Sequence, residues 1–136
     1  MKIEIVYKSK KNTRKLAEAM GNALNVIPKQ LNRKTKLEEA DILFLGFGIY
    51  AGDVHEDVKN FIESLNPEKI KKIVLFSTSG RGIEQIEKVK EKIKECGLNL
   101  EKDTYNCAGQ AFLFINRNHP TLQEINGAAE FAKKFV

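Results

Sequence analysis

Three short segments concentrate residue types able to hold an anionic ligand: KSKKNT (8–13), GFGIYAGD (46–53) and STSGRG (77–82). The first places Lys8, Lys10 and Lys11 around Ser9 and ends in Asn12 and Thr13, where a helical period begins. Backbone N–H groups at a helix N-terminus, the helix dipole and the Ser9 and Thr13 hydroxyls suit a phosphate monoester. No acid opposes these lysines before Glu18. Asn12 is the residue expected to cap the helix. Read alone, the loop fits equally well a pair of capping residues beside solvated lysines.

The second segment spaces Gly46, Gly48 and Gly52 around Ile49, Tyr50 and Ala51. Glycines there permit the close approach of a flat ligand, and Tyr50 can stack on an aromatic ring. A tight turn with Tyr50 covering the sheet edge would use the same residues. In the third segment Ser77, Thr78 and Ser79 offer hydroxyls, Gly80 and Gly82 a flexible peptide, and Arg81 a charge for phosphate, substrate or partner. By itself this segment also reads as a plain turn.

No residue stands out as a general acid or base, so no catalytic residue is assigned. His55 and His119 have no evident partner in the sequence and read as surface or capping residues. With two histidines far apart, two cysteines and no C-x-x-C motif, the chain offers neither a zinc site nor a disulfide framework. Cys96 and Cys107 read as small buried hydrophobes rather than reactive thiols.

The elements that must position these segments follow from periodicity. Residues 2–7, 42–46 and 73–76 read as strands, the last two as continuous apolar runs of the kind buried on both faces of a parallel sheet. A fourth strand falls within 104–114, and a marginal edge strand around Lys29 to Arg33 would bring the count to five. Helical periods run over 13–24, over Val54 to Leu65, and from Ile83 to Cys96, with Gly97 as a left-handed cap. A last helix begins at Pro120-Thr121, where Thr121 and Glu124 form a capping box. Strands alternating with helices of this length imply βαβ units and a parallel sheet with helices on both faces, a three-layer α/β domain spanning 1–136. Ligands of such sheets bind beyond the carboxyl ends of the strands, where all three segments lie.

The chain has 136 residues, 42% of them hydrophobic and 30% charged, as expected for one soluble globular domain. No apolar run is long enough to span a membrane, and MKIEIVYK is too short and too charged for a signal peptide, which makes the cytoplasm the default location. The net charge is +5, and residues 1–40 carry ten Lys/Arg against four acids. That asymmetry points to an anionic ligand or partner on one side.

IVYKSKKNTRKLAEAM, DILFLGFGIYAGDVHEDVKNFIESL, KKIVLFSTSGRG and FLFINRNHPTLQEINGAAEFAKKF together resemble the flavodoxin-like family that binds flavin mononucleotide (FMN), over nearly the whole chain. The resemblance implies a doubly wound five-stranded sheet of order 2-1-3-4-5. It implies that Ser9, Lys10, Lys11, Asn12 and Thr13 form the phosphate loop, with Ser9, Asn12 and Thr13 taking the phosphate. Gly48, Ile49, Tyr50, Ala51 and Gly52, with Ser77, Thr78, Ser79, Gly80, Arg81 and Gly82, would then flank the isoalloxazine. Three departures accompany it. Lys11 stands where the family has a glycine in a loop one residue longer, so it marks either a phosphate contact or a lost site. There is no tryptophan, which leaves stacking to Tyr50 or aliphatic residues. The basic charge disfavours a general shuttle that docks on basic partners.

The function implied is an FMN-binding redox protein, either an electron carrier for a specific partner protein or a small flavin reductase component, as a monomer or homodimer. The alternative is a flavodoxin-like interaction or regulatory module that has lost FMN and meets an acidic partner through its basic first third. Nucleic acid is disfavoured because the lysines are not interleaved with aromatic residues. A phosphate-binding signalling domain would need clustered acids at the strand ends, where Asp53 stands alone.

Overall fold

Strand β1 (Ile3–Lys8) alternates strictly: Ile3, Ile5 and Tyr7 share one face, Glu4, Val6 and Lys8 the other. The computed structural model describes residues 1–9, 11–50, 53–79, 84–108 and 120–136. After β1 come α1 (Asn12–Leu24), β2 (Lys29–Gln30), β3 (Ile42–Tyr50), β4 (Asp53–Val54) and α2 (Glu56–Ser64). Then follow β5 (Ile73–Ser79), α3 (Glu84–Glu95), β6 (Tyr105–Ala108) and α4 (Leu122–Lys133). The five parallel strands lie in the order β2-β1-β3-β5-β6, which is 2-1-3-4-5 once the antiparallel β4 arm on β3 is set aside.

Each sheet face carries its own core. On one, Ile5, Tyr7, Phe44, Val74 and Phe76 pack on Leu16, Ala17 and Met20 of α1 and on Ala128, Phe131 and Ala132 of α4. On the other, Val6, Leu43, Leu45, Phe47, Ile73 and Leu75 meet Val58, Phe61 and Ile62 of α2 and Ile86, Val89 and Ile93 of α3. Because β3 and β5 are buried on both faces, their apolar stretches are unbroken rather than alternating. Burial of each large side chain here stabilises the fold by roughly 1.5–3 kcal/mol.

The local signals formed as expected. Thr121 Oγ1 accepts from Glu124 N at 3.1 Å, and Glu124 Oε1 accepts from Thr121 N at 2.9 Å, completing the capping box. Gly97 sits at φ 75°, the left-handed conformation that closes α3. His55 caps α2, its Nδ1 accepting from Asp57 N at 3.0 Å. The edge strand between 29 and 33 reduces to Lys29 and Gln30.

Two strands run further than their apolar stretches. β3 continues through Gly46, Gly48 and Ile49 to Tyr50, so the segment expected as a loop from Gly46 is strand with a short antiparallel return at Asp53. β5 likewise continues through Ser77 and Thr78 to Ser79. The backbone groups of these polar and glycine residues still need partners, and the neighbouring strands supply them: Gly48 pairs with Thr78, and Thr78 with Cys107.

Candidate functional site

Among the described residues, the buried polar ones are Ser9, Asn12, Thr13, Ser77 and Thr78. All lie at the carboxyl ends of β1 and β5 or in the first turn of α1. Burying polar groups is unfavourable unless they are hydrogen-bonded, so their concentration at one end of the sheet makes that end the candidate site. It also falls where strand order reverses, since β1 leads outward to β2 while β3 and β5 run the other way.

The start of α1 is held from upstream. Ser9 Oγ accepts from Lys11 N and Thr13 N, each at 3.1 Å. Lys11 occupies the N-cap position and makes no side-chain cap bond, so the capping expected of Asn12 is performed by Ser9. The first turn contains no acid, so no carboxylate of α1's own first turn offsets the positive end of the helix dipole. Lys11 has φ −150°, outside the left-handed region, so no positive φ is required where the family glycine is missing. Its side chain is exposed.

The lysine-rich tip divides. Lys8 lies on the α2 face of β1, where its Nζ donates to Asp57 Oδ2 at 3.1 Å and to Leu31 O at 3.3 Å. Its charge ties β1 to α2 and to the segment after β2, and is not presented to a ligand at α1. Gln30 braces the same turn, with Nε2 donating to Ser9 O at 3.1 Å.

Alternation along β5 sends its two described hydroxyls to opposite faces. Ser77, in register with Phe47, donates from Oγ to Asn106 Oδ1 at 2.7 Å. Thr78, in register with Gly48, meets Thr13 on the α1 face, hydroxyl to hydroxyl at 2.8 Å. The structure therefore brings Ser9, Asn12, Thr13 and Thr78 together and turns Ser77 away from them. Ile49, Tyr50 and Ser79 are placed as strand backbone at the same end of the sheet. Lys10, Ala51, Gly52, Gly80, Arg81, Gly82 and His119, and the 109–114 part of the expected strand, lie outside the described residues.

The sequence reading missed the roles of Gln30, Asp57 and Asn106. They are polar residues of ordinary type, and only the pairing of distant segments brings them to Ser9, Lys8 and Ser77. No group of three or more His, Cys, Asp or Glu is arranged to hold a metal among the described residues. No helix among them is long and apolar enough to cross a membrane.

Cys107 of β6 is half-buried, and burial, then the Glu124 carboxylate beside it, pushes its thiol from 9.0 up to about 12. A thiol held protonated is a poor nucleophile. The folded state keeps the proton that the unfolded state releases above 9.0, so this group's stabilisation is full below that pH and is lost as pH rises towards about 12. At pH 8 iodoacetamide is expected to leave Cys107 unmodified in native protein and to modify it in urea. Native labelling of Cys107 at the unfolded rate would contradict this environment.

A family model described as a flavodoxin domain matches residues 4–124. Uncharacterized protein MJ0298 of Methanocaldococcus jannaschii is 30% identical over 149 residues, spanning 100% of this chain and 99% of its own. A flavodoxin from the domain Archaea superposes with TM-score 0.70 at 22% identity, covering 98% of this chain and 99% of its own. Oxidised flavodoxin 2 from Bacillus cereus superposes with TM-score 0.71 at 18% identity, covering 99% of this chain and 97% of its own. The chain, with its 2-1-3-4-5 sheet and its polar cluster at the carboxyl end, belongs to the flavodoxin-domain family.

Proposed function

We propose that this chain is an FMN-binding redox protein that passes electrons to a specific partner protein or serves as a small flavin reductase component. The observation that carries the reading is the confinement of the described buried polar residues to Ser9, Asn12, Thr13, Ser77 and Thr78, four of them gathered at an α1 N-terminus that has no acid in its first turn. That donor set fits a phosphate monoester: neutral hydroxyl and amide groups, helix N–H groups, and no carboxylate to repel a dianion. Ser9, Asn12 and Thr13 would take the phosphate, and the segments Gly48–Gly52 and Ser77–Gly82 would flank the ring. When bound, FMN supplies the hydride or electron transfer. The protein's part is to orient the flavin and exclude water from its buried end. The basic first third suits an acidic partner, in keeping with a dedicated rather than a general carrier.

One observation favours the second reading, an interaction module without FMN. The Ser9 hydroxyl already accepts from Lys11 N and Thr13 N, so these two N–H groups of the helix start are satisfied without a ligand. Titration of the purified protein with FMN, followed by visible absorbance and quenching of flavin fluorescence, separates the two. Stoichiometric binding with a shifted flavin spectrum is the expected result. A folded protein that leaves excess FMN unquenched would retire the redox reading in favour of the interaction module.

A further inference from the structure

Thr78 of β5 meets Thr13 of α1 on the sheet face that α1 covers. β3 lies between β1 and β5, and on the face covered by α1 the residue of β3 in register with Thr78 is Gly48. Two residues earlier the same face carries the row Tyr7, Gly46, Phe76, where the Phe76 ring fills the space over Gly46. In the Gly48 row the place of that ring is taken by a threonine, and Thr78 Oγ1 lies 2.8 Å from Thr13 Oγ1 of α1. Thr13 is 0% exposed and Thr78 3%, so water does not compete for this bond.

A hydroxyl has one proton and two lone pairs. If Thr13 spends its proton on Thr78, it can only accept, and an acceptor faces a phosphate oxygen unfavourably. If Thr78 donates, the Thr13 proton is free for that oxygen, and the accepted bond strengthens the donated one. Resting on the FMN reading, we infer that Thr78 is a positioning residue for the phosphate: it donates to Thr13 Oγ1 and thereby turns the Thr13 proton towards the phosphate. This assigns Thr78 to the phosphate end of the flavin rather than to the ring.

FMN and riboflavin, which differ by the phosphate, are the probes. Dissociation constants of both are measured by fluorescence quenching for the parent, Thr78→Val and Thr78→Ser, with thermal unfolding of each apoprotein as the folding control. Thr78→Val is expected to weaken FMN about tenfold, because the Thr13 hydroxyl loses the bond that orients its proton and strengthens its donation, and to change riboflavin less than about twofold. Thr78→Ser keeps the donor and is expected to restore FMN affinity. Equal weakening of both flavins would overturn the inference by assigning Thr78 to the ring, and unchanged FMN affinity in Thr78→Val would overturn it outright. In both cases the parent still binds FMN, so the cofactor reading survives. A parent that binds no FMN would overturn both together.

Discussion

Gly46→Ala is expected to destabilise the protein by about 3 kcal/mol, lowering the thermal midpoint by around 10 °C. Gly46 lies mid-strand between Tyr7 of β1 and Phe76 of β5. A Cβ built there would stand 2.2 Å from Phe76 Cε2 and 2.3 Å from its Cζ. Phe76 is 0% exposed, and protein interiors are close-packed, so the strands must part or the ring must leave its rotamer. Alanine has the better strand propensity, which gives the prediction a sign opposite to the local expectation. Urea unfolding of Gly46→Ala, Phe76→Leu and the double variant tests it. The double variant should lose less than the two single losses combined, because the smaller side chain makes room for the methyl. A Gly46→Ala protein as stable as the parent would show that the Phe76 ring does not occupy the face of Gly46.

Ser9→Asp is expected to separate folding from cofactor binding. The Ser9 hydroxyl accepts from Lys11 N and Thr13 N, a role that a carboxylate performs at least as well at the positive end of a helix. The fold should therefore be retained. The same carboxylate would place a negative charge where the proposed phosphate sits. At about 4 Å and an effective dielectric constant of about 20, like charges repel by roughly 4 kcal/mol, and screening leaves an expected loss of at least about 100-fold in FMN affinity. Riboflavin, without the phosphate, should lose far less. Circular dichroism, thermal unfolding and the two flavin titrations read this out. Unaltered FMN binding by a folded Ser9→Asp protein would move the phosphate away from the α1 N-terminus.

These two positions show where sequence reasoning stopped. Gly46 reads as the opening of a glycine loop, because three glycines within seven residues resemble a turn more than a strand. Ser9 reads as a ligand residue and Asn12 as the cap, because capping preferences are tabulated for the residue next to the helix. Lys11 takes that position and makes no cap bond. Lys8 looked like one of three cations at a phosphate tip, and it turned to Asp57 of α2, 49 residues away. Thr78 and Ser77 look alike in sequence, yet one bonds Thr13, 65 residues away, and the other Asn106, 29 residues away.

What the sequence determined by itself was everything that depends on neighbours along the chain. The order of strands and helices, the apolar periods that choose each core face, the Thr121–Glu124 box and the Gly97 cap all follow from contacts within a few residues. What only the tertiary structure decided was how far β3 and β5 run, which face each hydroxyl takes, and which groups converge on α1. A strand ends where its backbone loses a pairing partner, not where its side chains turn polar, and the partner lies on another strand. Once β3 and β5 are paired to their ends, the period of two along each strand sends Thr78 to the α1 face, where it meets the Thr13 hydroxyl, and Ser77 to the other, where it meets Asn106.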